Sequence, residues 1–306
     1  MEKASHVLIT GVAGFIGSNL ADRLLREGYF VRGIDNLSYG VREQIPDGTE
    51  FHKQDIRSKE IYDLFRGIDV VFHLAAKNQI LDCQKDPVET MDINVTGTAN
   101  VFEAARRAGV KKVVYAESSV VEEGDERTKG FYAISKMTDT RIAGGYRAAY
   151  GIPSVGLRYF NVYGPRQDYR RTIPPVMSAF IIKLLKGEQP IVYEGGEINR
   201  RDFIHVNDVN DFHLFCIEDD RVNNKMFRLG TSTNYSVVEI LAAIQKLLGL
   251  NIKPIVKKPP DGDTPVQTRA DISDALALGW SPKMSLEEGL RTMVEYIKAE
   301  IGKGKI

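Results

Sequence analysis

Two residues whose spacing could create a base lie near the middle of the chain. Tyr132 precedes Lys136 by one helical turn in the stretch FYAISK. A lysine cation close to a phenol favours the ionised, basic form of the tyrosine. The spacing alone is weak evidence, because a chain with 13 tyrosines gives such a pair by chance. The surrounding elements must decide between a catalytic pair and a helical core position.

A glycine-rich turn near the start supplies the first such element. Gly11, Gly14 and Gly17 in TGVAGFIG follow an apolar run at 6–10 and open a helical pattern at 14–28. Glycine allows a tight turn and lets a pyrophosphate approach the backbone, and the helix N-terminus offers unpaired N–H groups to the anion. The pattern predicts a dinucleotide site.

An acid ends the next predicted strand, FVRGID at 30–35. Asp35 in that position can accept hydrogen bonds from both ribose hydroxyls of an adenosine. Its charge would repel a 2′-phosphate, and Asn36 follows rather than an arginine. The sequence therefore favours NAD over NADP.

Strands and helices alternate through the first half of the chain. Further strands are predicted at 69–75, 111–119 and 153–160, and helices at 87–108 and 132–151. This order predicts an α/β fold with a doubly wound parallel sheet. The rhythm changes after Pro165, so we expect an NAD-binding Rossmann domain at 1–165 and a smaller C-terminal α/β substrate domain at 166–306, with some segments returning to pack on the first.

The bulk composition argues against several other classes. The formal net charge is zero, which gives no support for a nucleic-acid or membrane partner. Cys83 and Cys216 have no paired spacing and the histidines are scattered, so we expect no disulfide framework and no metal. The absence of a signal-peptide pattern, and of a run of about 18 apolar residues, predicts a cytoplasmic protein.

Together the motifs resemble the extended short-chain dehydrogenase/reductase family, and within it the NAD-dependent nucleotide-sugar epimerases and dehydratases, most of all the UDP-hexose 4-epimerases. The stretches that carry the resemblance are TGVAGFIG, HLAA, NVTGT, YAESS, YAISK, LRYFNVYGPRQD, RRDFIHVNDV and SLEEGL. They follow the family's order and span nearly the whole chain. The resemblance implies bound NAD, a UDP-sugar substrate and a homodimer through the helices near 87–108 and 132–150.

The resemblance also implies roles for individual residues. It gives as the catalytic group Ser118, Tyr132 and Lys136. It gives as the cofactor site Gly11, Gly14, Phe15, Ile16, Gly17, Asp35, Asn36, Asp55, Ile56, Leu74, Ala75, Ala76, Asn94, Tyr132, Lys136 and Phe160. It gives as substrate-binding residues Ser118, Asn161, Tyr193 and Arg201, with Arg269 or Lys258 in place of a diphosphate-binding arginine.

By this resemblance Tyr132 takes the proton from a sugar hydroxyl as carbon 4 loses a hydride. Lowering a tyrosine pKa from about 10 by about three units requires about 4 kcal/mol. One cation at about 4 Å, at an effective dielectric near 20, supplies about 4 kcal/mol. We therefore expect Lys136 to be a perturbation of the right size, with the positive nicotinamide adding to it.

The residues after Ser118 favour 4-epimerisation among the family's reactions. Dehydratases place an Asp-Glu pair there and decarboxylating relatives a glutamate, whereas Ser119 and Val120 cannot do acid–base work. What remains is oxidation at carbon 4, rotation of the 4-keto sugar and return of the hydride to the other face. Two alternatives stay open: another nucleotide-sugar oxidoreductase, such as a reductase or a dehydratase-like enzyme, and a catalytically silent NAD-binding regulatory protein. The hexose, its N-acetyl or uronic acid form, and the nucleotide also stay open.

Four features depart from the family's pattern. Val121-Glu122-Glu123 replaces a Val-Tyr-Gly, and the interval from Ser118 to Tyr132 is short. Pro260 stands nearest the position of the diphosphate-binding arginine, and Glu117 replaces a small hydroxyl residue. The shortened interval predicts a wider and wetter sugar pocket.

Overall fold

A computed structural model describes residues 6–123, 130–171, 174–259 and 266–306. The strands are β1 His6–Thr10, β2 Phe30–Asp35, β3 Glu50–Lys53, β4 Val70–His73, β5 Lys112–Ser118, β6 Ser154–Tyr159, β7 Val162–Tyr163, β8 Ile191–Tyr193, β9 Arg200–Asp202, β10 Ile204–His205, β11 Met226–Leu229, β12 Asn234–Ser236 and β13 Ile255–Lys257. The α-helices are α1 Phe15–Arg26, α2 Ile80–Lys85, α3 Pro87–Met91, α4 Gly97–Ala108, α5 Phe131–Tyr150, α6 Val176–Leu185, α7 Val206–Glu218, α8 Val237–Leu248, α9 Ser273–Ala277 and α10 Leu286–Gly302. Among these described residues no helix is long and apolar enough to cross a membrane.

Seven strands form the central sheet in the order β11-β6-β5-β4-β1-β2-β3. The pairings from β3 across to β6 are parallel. The chain builds outward from β1, first through β2 and β3 and then through β4, β5 and β6 on the other side, which confirms the predicted doubly wound Rossmann fold. Thr10 pairs in register with Ile34 and with His73, so the carboxyl ends of β1, β2 and β4 lie side by side.

The chain divides into two compact units. The first runs to Tyr159 and takes in the later segment Asn210–Arg228, and the second comprises Phe160–Val209 and Leu229–Ile306. The boundary predicted near residue 165 stays a prediction. Three two-stranded sheets, β7 with β10, β8 with β13 and β9 with β12, lie outside the central sheet.

Buried apolar side chains stabilise each unit by leaving water. In the first unit Phe102 of α4 lies edge-on to Tyr115 of β5 and tilted against Tyr146 of α5, which joins both helices to the sheet. In the second unit α6, α8 and α10 share one core. Ser236 and Ser285 cap α8 and α10 through capping boxes.

The helix predicted at 87–108 is not a regular α-helix throughout. A π-helical turn at Asp92–Thr96 separates α3 from α4. The apolar periodicity continues across this turn, so the sequence pattern did not reveal it. Such turns occur frequently at functional sites, and this one contains Asn94.

Candidate active site

The glycine turn leaves no room for side chains. Gly11 has φ +77°, and a Cβ there would lie 2.8 Å from the backbone nitrogen of Ala75. A Cβ at Gly17 would collide with the carbonyl oxygen of Gly11. Gly14 is the N-cap of α1 and has no side chain to occupy the first N–H groups of the helix, which can therefore face an anion.

Asp35 is held by two backbone donors. Its carboxylate oxygens accept from the N–H of Ala13 at 3.0 Å and of Leu37 at 2.8 Å. Burial raises the pKa of Asp35, and these two hydrogen bonds oppose the rise. A charged carboxylate accepts up to about four hydrogen bonds, so it can still accept two from ribose hydroxyls. A side chain at Gly40 would crowd this carboxylate, because its Cβ would lie 3.0 Å from either oxygen.

The structure also brings the predicted adenosine-side residues together. Asn36 Nδ2 donates to Asp55 Oδ2 at 3.0 Å. The side-chain hydrogen bonds from Arg57 hold the pKa of Asp55 well below its usual range. Ile56 is buried and would contact any side chain at Gly97, so it fixes the loop against α4.

The segment after β4 runs directly beside the glycine turn. The N–H of Leu74 donates to the carbonyl of Thr10 at 3.1 Å, and the N–H of Ala75 donates to the Thr10 hydroxyl at 3.3 Å. Leu74, Ala75 and Ala76 are half-buried. A glycine cradle, an adjacent ribose acceptor and this half-buried wall fit a dinucleotide such as NAD.

Asn94 holds this wall in place. Its Oδ1 accepts from Lys77 N–H at 2.8 Å, and its Nδ2 donates to the Lys77 carbonyl at 3.0 Å and to Ser135 Oγ at 2.9 Å. The π-helical turn directs Asn94 between the β4 segment and α5. Its side chain is engaged by protein groups on both sides and holds the backbone of Lys77, directly after Leu74, Ala75 and Ala76. The predicted contact of Asn94 with the cofactor stays a prediction.

The three predicted catalytic residues come together in the first unit. Ser118 ends β5, and Tyr132 and Lys136 lie in the first two turns of α5. The Ser118 side chain lies close enough to Tyr132 to favour its ionised form. Lys136 Nζ donates to the Ala116 carbonyl at 3.2 Å, which ties the helix to the strand.

The charge of Lys136 does not bring the pKa of Tyr132 below its ordinary value, contrary to the expectation from the sequence. Burial raises the pKa of Tyr132 more than Lys136 and the nearby Ser118 side chain lower it, so the net shift is upward. The expectation for the Tyr132 pKa did not include the burial of the phenol or a second partner of Lys136. That partner is Asp139, whose Oδ2 accepts from Lys136 Nζ at 2.9 Å. Its position three residues after Lys136 on the same helix face was the signal that sequence reasoning missed.

Glu117 lies next to Ser118 in sequence but on the opposite face of β5, since strand side chains alternate. It forms an ion pair with Arg158, which also pairs with Glu122. Burial lowers the pKa of Arg158, but its hydrogen bond with Glu117 and the other contacts with the two carboxylates outweigh this and raise it. Residues 119–122 form a short 3₁₀ helix that Ser118 caps. Residues 124–129, which continue the interval between Ser118 and Tyr132, lie outside the described residues.

The predicted substrate residues of the second unit lie on or near its small sheets. Asn161 Nδ2 donates to the Asp202 carbonyl at 2.9 Å, and Tyr193 is 41% exposed. Arg201 on β9 donates to the carbonyl of Val266. Arg269 is exposed, and its Nε donates to the Ser232 carbonyl at 2.7 Å.

Phe160 and Pro260 are two further positions of this unit that the sequence analysis named. Phe160 is only 2% exposed and packs with Ala270 and Ile272, so its side chain serves the core of the second unit. Pro260 lies outside the described residues. The roles predicted for Asn161, Tyr193, Arg201, Arg269 and Phe160 stay predictions.

Comparison with known proteins defines the class. The NAD dependent epimerase/dehydratase family matches residues 7–230. The chain belongs to this family.

Individual relatives cover almost the whole chain. A putative UDP-glucose 4-epimerase of Methanocaldococcus jannaschii is 34% identical over 95% of this chain and 98% of its own. The crystal structure of a UDP-glucose 4-epimerase of Thermotoga maritima with UDP-glucose superposes with a TM-score of 0.90 at 31% identity, over 97% of this chain and 99% of the other. A UDP-N-acetylglucosamine 4-epimerase of Methanobrevibacter ruminantium, in complex with UDP-N-acetylmuramic acid, gives a TM-score of 0.91 at 28% identity, over 97% and 99%.

Proposed function

We propose that the chain is an NAD-dependent UDP-sugar 4-epimerase. The observation that carries this is the joining of Ser118, Tyr132 and Lys136 at the end of β5 and the start of α5, in a chain that belongs to the NAD dependent epimerase/dehydratase family. The relatives described above are UDP-sugar 4-epimerases by name, and they match the chain over nearly its full length.

Each residue of the group has a role that its contacts allow. Tyr132 takes the proton from the 4-hydroxyl of the sugar and returns it after the keto sugar has rotated. Ser118, which lies beside Tyr132, shares the hydrogen bond to the same sugar oxygen. Lys136 places a positive charge beside the phenol, which favours its ionised form. Bound NAD supplies the acceptor and then the donor of the hydride at carbon 4.

The surroundings of Ser118 support epimerisation over loss of water. Val120 is buried, and Ser119 donates its hydroxyl to Glu123. Glu117 is held by Arg158 on the other face of the strand. Among the described neighbours of Ser118 in sequence, none presents the acid–base pair that dehydration needs.

The nucleotide side of the substrate is assigned to Asn161, Tyr193, Arg201 and Arg269, with UDP as the nucleotide. Tyr193 is exposed enough to stack on a uracil ring. Arginine suits a diphosphate because its planar fork binds two oxygens at once. These assignments follow the family resemblance.

A homodimer through α4 and α5 is part of the proposal. The exposed face of α5 carries Met137, Arg141, Gly144, Gly145 and Ala148. A Cβ on Gly144 or Gly145 would meet no atom of the described chain within 4 Å, so a second helix could approach closely there. Light scattering at micromolar concentration tests this, with a Gly145→Trp variant expected to be monomeric. We place the enzyme in the cytoplasm.

The test of the function uses the purified protein without added cofactor. Acid denaturation should release NAD, and NMR should show conversion of at least one of a panel of nucleotide sugars into its 4-epimer. A reductase would need added reduced cofactor, and a silent NAD-binding protein would give no conversion. Either result would overturn the proposal.

A further inference from the structure

Lys136 is shared between Tyr132 and a second buried group. Its ammonium donates to Asp139 Oδ2 at 2.9 Å, and the two side chains are 4% and 1% exposed. Burying an ion pair costs solvation that good geometry must offset. Asp139 therefore fixes the lysine in one place, together with the Ala116 carbonyl.

The carboxylate of Asp139 is incompletely satisfied. Its Oδ1 is buried and has no hydrogen-bond partner of good geometry among the described residues. Burial raises the pKa of Asp139, and the contacts with Lys136 and with the Thr98 side chain oppose the rise. Native proteins rarely leave such an atom buried without a functional reason. Packing alone does not account for an acid at this position.

Among the described residues, the other ionisable side chains around the pair carry no uncompensated charge. Glu117, on β5, is balanced by Arg158. Burial lowers the pKa of His73, on β4, to about 3, so it is neutral. Burial also raises the pKa of Cys83, on α2, so its thiol is protonated.

Charge counting then gives the effect of Asp139. With Asp139 negative and Lys136 positive, the cluster with protonated Tyr132 is neutral, and loss of one proton leaves a buried negative charge. Without the Asp139 charge, loss of the same proton takes the cluster from positive to neutral. This holds whichever of Tyr132 and Lys136 releases the proton, since coupled groups titrate as a unit.

We propose that Asp139 is a positioning residue that holds Lys136 and shifts the working range of the Tyr132–Lys136 base to higher pH. The proposal rests on the proposed function for its kinetic readout. The proposal states that the buried carboxylate of Asp139 opposes formation of the tyrosinate at Tyr132.

The decisive comparison is Asp139→Asn against Asp139→Glu in the full-length, NAD-loaded protein. The acid limb of kcat/KM is measured in the native protein and in both variants. Asp139→Asn should move this limb to lower pH by about one unit or more, the scale of one nearby charge. Asp139→Glu keeps the charge and should leave the limb in place. An unmoved limb in Asp139→Asn would overturn the proposal.

A second readout does not depend on turnover. Tyrosinate absorbance, taken as the difference between each protein and its Tyr132→Phe counterpart, should develop at lower pH in Asp139→Asn than in the native protein. Equal titration curves would refute the role of Asp139. If the native protein converts no nucleotide sugar, the proposed function fails, while this titration still tests Asp139.

Discussion

Glu117 of β5 and Arg158 of β6 lie opposite each other in register and form an ion pair directly behind Ser118. Arg158 Nη2 donates to Glu117 Oε1 at 2.9 Å, and the Glu117 side chain is 1% exposed. Arg158 also pairs with Glu122, which Arg228 of β11 contacts at 2.7 Å. The ion pairs among these four side chains connect β5, β6 and β11 to the turn that follows Ser118.

This pair predicts a large effect of Glu117→Gln on stability. Breaking a buried pair costs about 3–5 kcal/mol, and we expect the lower end because Arg158 keeps Glu122. Denaturant unfolding measures it, with Glu295→Gln on the exposed face of α10 as the control. If both variants unfold at the same denaturant concentration, the pair does not brace the turn.

Asp35 should govern cofactor choice. Asp35→Ala removes the acceptor of the ribose hydroxyls and the charge that repels a 2′-phosphate. A hydrogen bond to a charged group contributes about 1.5–3 kcal/mol, so we expect NAD to bind about 10-fold to 100-fold more weakly and the preference over NADP to narrow. Calorimetric titration with both cofactors measures this, and the exposed Asp47→Ala is the control. Equal affinity of the native protein for NAD and NADP would contradict the role of Asp35.

Substitutions of Tyr132 and of Lys136 should differ in their effects on NAD binding, although both should reduce turnover. Tyr132→Phe removes the base and little volume, so turnover should fall by about 10²-fold or more while NAD stays bound. Lys136→Met should lose turnover and also weaken NAD, because we expect the lysine to reach the nicotinamide ribose. Released NAD and the initial rate are measured on the same samples. A Tyr132→Phe enzyme that retains most of its activity would contradict the mechanism.

The short interval between Ser118 and Tyr132 predicts tolerance of a bulkier sugar. Glu122 cannot fill an apolar wall, because it is engaged by Arg158 and Arg228 and because desolvating it would be costly. We expect turnover of UDP-N-acetylglucosamine as well as UDP-glucose, with slow accumulation of NADH as the keto sugar escapes. Rates on both sugars and absorbance of the reduced cofactor test this. Strict rejection of the N-acetyl sugar without any NADH would show that the pocket is closed.

The sequence predicted the fold and the cofactor cradle well because both follow from local rules. Strand and helix periodicity gave the doubly wound sheet, and the glycine turn is required by close backbone contacts such as that of Gly11 with Ala75. The predicted helix also places Tyr132 and Lys136 one turn apart, and their catalytic role stays a prediction.

What the sequence did not predict depends on burial and on distant partners. The net pKa shift of Tyr132 depends on how completely the phenol is buried and on Asp139, and neither is visible in the spacing to Lys136. The partner of Glu117 is 41 residues away along the chain and became evident only from the register of β5 and β6. The polar residues of α7 obscured its helical pattern, so this helix was missed.

Isotope transfer during turnover tests the central claim most directly. UDP-glucose carrying deuterium at carbon 4 is incubated with the purified protein in ordinary water, with no added cofactor, and the products are followed by NMR. The account predicts UDP-galactose that retains deuterium at carbon 4, because the hydride removed from one face returns to the other. Formation of the epimer with loss of the label to solvent, or no epimer from any nucleotide sugar of the panel, would contradict it.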